Sequence, residues 1–260
     1  MLEKDLFEKL NVDHVRQLMA YLPLLEQARP ELAKLMAAKP EKTAKFFESG
    51  LAWGGLYDLT IVEHLTVFSD IAGLNDFLVH AAASPDPHGE MMKLDDHPDF
   101  QEWNGGTDGQ YEIQHLLGVL YSLIGTLDSL MLYGFYLNEL LAKARDNSDD
   151  EALFNAIRVD PLAITSDTAA HRIARASVQA DALFFSQLQN AIKGKSGKQA
   201  RYLKKFKLFM QLLLEQGLLG RPNFELRALA LELGTYAEDA NAEKNLNELI
   251  RKFRKKKTTQ

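Results

Sequence analysis

The stretch "HLLGVLYSLIGTLDSLMLYGFYLNELL", His115 to Leu141, is the most apolar part of this 260-residue chain, and its reading decides the fold. The 22 residues from Leu116 to Leu137 are long enough to cross a bilayer at about 1.5 Å of rise per residue. Eleven Leu, Ile, Val or Phe residues favour insertion by roughly 0.5 kcal/mol each, but Asp128 near the midpoint costs roughly 3 kcal/mol, and nine Gly, Ser, Thr and Tyr residues dilute the rest. Insertion is therefore close to neutral, the chain has no second candidate span, and no membrane span is expected.

Small residues give a better account. Gly118, Ser122, Gly125 and Ser129 fall at i, i+4, i+7 and i+11, one continuous helical stripe along which another element can approach closely. A homodimer seam and a central buried helix both use such a stripe. Because the segment is apolar nearly all round, the central core position is the expectation. Asp128 then needs a partner such as Arg172 or Arg175, or a place at the bundle surface, because an unpaired carboxylate in an apolar interior is costly. The alternative is a buried acid with a raised pKa.

Apolar residues recur at helical spacing along most of the chain, with no sustained alternation of strand type, so the fold class is all-α. The expected architecture is a multi-helix bundle around a long apolar central helix, with a small C-terminal three-helix domain. Early helices run from Asp13 toward Tyr21, from Pro40 to about Ala52, from Tyr57 to Asp70 and from Leu74 to Ala83. The central helix runs from Tyr111 to about Ala144, the next from Glu151 to Val159, and a long one, capped within Thr165–Asp167, ends near Lys193. Residues 84–110, with three prolines and four glycines, form a long loop of the kind that is a functional lid or disordered.

Composition bounds the chemistry. The chain is 46% hydrophobic and 25% charged and contains no cysteine, which excludes disulfides, thiol catalysis and thiolate-bound metals. The N-terminus lacks the pattern of a secretory signal, and the expected location is the cytoplasm. No cofactor is implied. "KGKSGK", Lys193 to Lys198, contains Gly-Lys-Ser, but a phosphate loop needs glycine at 189, which is Gln189, and a preceding strand.

Seven histidines invite a metal reading. Asp76 and His80 are four apart and Glu112 and His115 three apart, so on a helix each pair shares a face, as in carboxylate-bridged metal bundles. Such bundles need two Glu-x-x-His pairs. This chain has one, and Asp76, His80, Glu112 and His115 are the metal candidates. No serine or lysine shows a nucleophilic motif, and the balance leans against an enzyme.

Charge is the more informative signal. The net charge of −6 divides into −15 over residues 1–190 and +9 over residues 191–260. The expected domains are therefore an acidic helical one, 1–193, and a basic three-helix one, 198–260. In the latter, helices are expected at Lys198–Gln216, Phe224–Leu233 with Asn223 as cap, and Asn241–Lys256. In outline this suggests a helix-turn-helix module, although the connection from Gly234 to Ala240 exceeds the usual turn. Lys198, Arg201, Lys204, Lys205, Lys244, Arg251, Lys252, Arg254 and Lys255 are the candidate nucleic-acid-binding residues. The leading functional expectation is a non-catalytic, regulatory, nucleic-acid-associated protein. The rivals are a helical interaction scaffold and a metal-dependent helical enzyme.

Overall fold

A capping box starts the first well-defined helix. In the computed structural model, Thr60 accepts the backbone N–H of Glu63 while the Glu63 carboxylate accepts that of Thr60, satisfying two amides that the first helical turn leaves open. The structure describes residues 15, 16, 19, 34, 54–74, 76, 77, 80, 84–86, 89, 90, 93, 111, 113–194, 203–236 and 242–258. Among them there are ten α-helices and no strand: α1 (Gly54–Tyr57), α2 (Ile61–Ala72), α3 (Ile113–Tyr133), α4 (Leu137–Asn147), α5 (Asp150–Val159), α6 (Asp167–Val178), α7 (Ala182–Ile192), α8 (Lys204–Glu215), α9 (Asn223–Glu232) and α10 (Ala242–Thr258). The fold is an all-α bundle. The helices expected around Asp13–Tyr21 and Pro40–Ala52, and most of the loop 84–110, lie outside the described residues.

The central helix α3 stands where the sequence places it, between two apolar clusters. Leu123, Leu127, Leu130 and Met131 join Phe206, Phe209, Leu213, Leu226, Leu246 and Ile250 from α8, α9 and α10. Tyr133, where α3 ends, joins Phe154, Ile157, Phe184 and Leu188 from α5 and α7. The first half of α3 packs Leu116 and Val119 against Ile71, Ala72 and Leu74. The basic C-terminal helices thus share their core with α3. Residues 193–198 mark a change of charge along the sequence.

α3 is long and apolar enough by composition to cross a membrane, with mean hydropathy 1.6 over His115–Tyr133, yet 72% of that window is buried inside the chain. Gly118, Ser122, Gly125 and Ser129 are all buried within the chain, as expected of a core helix. Ser122 faces His64 of α2, and Gly125 faces Tyr57 of α1.

Three expectations are corrected. The helix expected over Tyr111–Ala144 is two helices: Gly134 adopts φ +72°, and α4 restarts with the Glu139 side chain accepting the Tyr136 amide. The helix expected up to Lys193 is also two, α6 and α7, because Ala180 takes φ +51° and Asp181 accepts the Phe184 amide to cap α7. Arg172 does not serve Asp128. Its guanidinium grips both oxygens of Asp150 at 2.7 Å, reaches Asp181 at 3.2 Å and stacks 4.0 Å over the Phe184 ring.

Candidate nucleic-acid interface

α10 carries seven Lys or Arg against two Glu, and its apolar residues determine which way the charges face. Leu246 and Ile250 are fully buried, with Leu249 and Phe253 packed beside them. At about 100° per residue these four occupy one side of the helix, while Lys244, Glu248, Arg251, Lys252 and Lys255 fall on the opposite side, at i, i+4, i+7, i+8 and i+11. Lys244, Arg251, Lys252 and Lys255 are exposed. Their stripe spans about 16 Å along the axis. Glu248 lies within it, paired with Lys252 at 2.5 Å, and that ammonium holds the carboxyl below its usual range.

The other cations expected at this surface behave differently. Arg254 is turned inward: Nε donates to the Leu219 carbonyl at 2.9 Å, Nη2 to that of Arg221 at 2.6 Å and Nη1 to Asn223 Oδ1 at 2.6 Å. Arg254 therefore staples the end of α10 to the start of α9, so its expected place among the phosphate contacts gives way to a structural one. Asn223, expected as the cap of that helix, accepts Arg254 while Pro222 occupies the cap position. Lys204 and Lys205 stand on the first turn of α8, half-exposed and exposed. Lys207, one turn on, points inward and donates to the Leu132 carbonyl at 2.5 Å; burial lowers its pKa. Lys198 and Arg201 lie outside the described residues.

The helix-turn-helix outline rests on the sequence, and the structure gives the helix ends. α8 and α9 end where Gly217 and Gly234 take φ +67° and +58°, but residues 233–241 still separate α9 from α10. A cleft of about 260 Å³ beside α9 is lined by Leu213, Leu218, Leu226 and Leu229. Its rim charges are matched in pairs, Arg16 with Glu232 and Arg221 with Glu225.

Elsewhere, the structure assembles a buried polar centre that sequence reasoning missed. Asp160, 1% exposed, accepts the Tyr57 hydroxyl at 2.7 Å, the Tyr121 hydroxyl at 3.2 Å and the Leu162 amide at 2.9 Å. Among the described residues, three donors thus converge on one buried carboxyl group. Burial, then the Asp160 charge, raises both tyrosine pKa values, so both stay protonated as donors. The partners come from α1, α3 and the turn after α5, and the only local signal was the Asp-Pro junction.

Three of the four metal candidates are among the described residues. Asp76 and His80 are exposed, His115 is half-buried with its ring edge-on to Tyr111, and Glu112 lies outside the described residues. No three His, Cys, Asp or Glu side chains among the described residues are placed to share a metal ion. Comparison with protein families, with curated proteins and with solved structures finds no match.

Proposed function

We propose that this protein is a non-catalytic nucleic-acid-binding protein that engages phosphates through the outward face of α10. The observation that carries the reading is the segregation on that helix: four exposed cations on one side, the apolar anchor on the other, and Arg254 spent on fixing the helix end. A rigid row of ammonium and guanidinium groups displaces counterions from a nucleic-acid backbone, and the released ions drive association. Lys204 and Lys205 add further cations on the first turn of α8, and Lys198 and Arg201 are candidates from the sequence alone. Phosphate contacts fix position and carry no sequence information, so low sequence preference is expected.

The test uses the full chain, because the basic helices share a core with α3. Lys244, Arg251, Lys252 and Lys255 are replaced together by Gln, and binding to labelled nucleic acid is followed across a salt titration. The expected result is a salt slope shallower by about 0.7 to 0.9 for each phosphate that the variant no longer neutralises. Equal slopes for the two proteins would refute the assignment of α10.

A further inference from the structure

We propose that Phe224 is a stacking platform for an unpaired base, which makes the ligand of α10 a single-stranded nucleic acid. The inference rests on the phosphate-binding reading above and adds the substrate class.

Among the described residues four large apolar side chains are exposed: Val178, Leu183, Ile192 and Phe224. Phe224 is the only aromatic one, and it sits beside the basic helix. The residue is 62% exposed on the first turn of α9. Its neighbour Asn223 accepts Arg254 Nη1, and the carbonyl of Arg221 accepts Arg254 Nη2. That tether brings the last turns of α10 to the start of α9. Arg251 and Lys255, exposed one turn before and one residue after Arg254, therefore lie at the same end of the helix pair as the ring.

A flat apolar ring next to a row of cations is the combination that holds a single strand, with the backbone tracking the charges and a base lying on the ring. In a duplex the base faces are hidden in the stack and a surface phenyl has nothing to lie on. The ring also has no core to serve, since it belongs to none of the apolar clusters among the described residues.

The experiment compares the full chain with Phe224→Ala, Phe224→Leu and Phe224→Trp by fluorescence anisotropy, using labelled oligo(dT) and a matched duplex. The unmodified chain is expected to favour the single strand. Phe224→Ala and Phe224→Leu should weaken single-strand binding by roughly 5- to 150-fold, the range for one stacked base, and leave duplex binding unchanged. Phe224→Trp should retain it. A 2-aminopurine base in the strand should be quenched by the unmodified chain and much less by Phe224→Ala. Unfolding curves that superimpose would show that the loss is not a folding defect.

Equal single-strand affinity for Phe224→Ala and the unmodified chain would overturn the stacking role. If the four-Gln variant still weakened binding in that case, the phosphate reading would survive. Absence of binding to either nucleic acid at low salt would overturn both.

Discussion

Substituting Gly125 by alanine tests the packing of α3 against its buried polar centre. In a helix interior the change ordinarily stabilises by about 0.5 to 1 kcal/mol, because glycine loses more backbone freedom on folding. Here the added Cβ would stand 2.8 Å from the Tyr57 hydroxyl oxygen and 3.3 Å from Cε1 of that ring. The hydroxyl has little room to retreat, since it is held 2.7 Å from Asp160 Oδ2 and the carboxylate is anchored by two further donors. Moving the ring to a tolerable distance loses most of a charge-assisted hydrogen bond, about 1.5 to 3 kcal/mol. Set against the helix gain, Gly125→Ala is expected to destabilise by about 1 to 2 kcal/mol, with urea unfolding of the full chain as the assay. Tyr57→Phe, which removes the offending oxygen, should itself cost about 1.5 to 3 kcal/mol, and Gly125→Ala added to it should cost almost nothing. The double variant is therefore predicted to be more stable than the sum of the single effects by about 1 to 2 kcal/mol. Additivity within about 0.5 kcal/mol, or a stabilising Gly125→Ala single variant, would refute the argument that Gly125 makes room for the hydroxyl.

Two further predictions concern histidine and arginine. His64 is 0% exposed, with Nδ1 facing the Thr60 carbonyl and Nε2 facing Ser122 Oγ, each at 3.2 Å. A carbonyl only accepts, so Nδ1 carries the proton of the neutral ring. Burial lowers the pKa of His64, so on acidification the unfolded chain takes up a proton first, near pH 6.5. Stability should fall as pH drops through that value and level off below the folded pKa; His64→Gln should remove this component, and parallel stability-versus-pH curves for the two proteins would contradict it. Arg254→Ala, which strands two carbonyls and an amide oxygen, should cost about 2 to 4 kcal/mol, whereas exposed Lys255→Ala should stay within about 0.5 kcal/mol. Equal denaturation midpoints for those two variants would remove the staple.

The parts of the fold legible in the sequence were those with a local physical cause. α3 was readable because its apolar run and small-residue stripe repeat at helical spacing, and the stops at Gly217 and Gly234 because glycine reaches positive φ without strain. The break at Gly134 offered the same cue, masked by the apolar residues that continue on both sides. Ala180 gave no cue, since alanine has no preference for the φ of +51° that it adopts; only Asp181, as a cap, pointed there. In the candidate interface, composition identified the basic helix but did not separate Arg254 from its neighbours. That separation depends on carbonyls more than thirty residues away. The Asp160 centre depends on tyrosines 103 and 39 positions distant, beyond the reach of any periodicity.

The sharing of α3 between two clusters also has a temporal side. Leu123, Leu127, Leu130 and Met131 share their cluster with Val15, Met19 and Ile61, but most of its members lie in residues 206–250, which leave the ribosome later. At about 5 to 20 residues per second, the interval between completing Tyr133 and completing Ile250 is about 6 to 23 s. For that time the nascent chain carries an apolar helix, long enough to pass for a transmembrane segment, without the cover that residues 206–250 later give it. The basic helices close the interval when they dock, so a delay or frameshift downstream of residue 203 would expose a hydrophobic surface far from the altered codons.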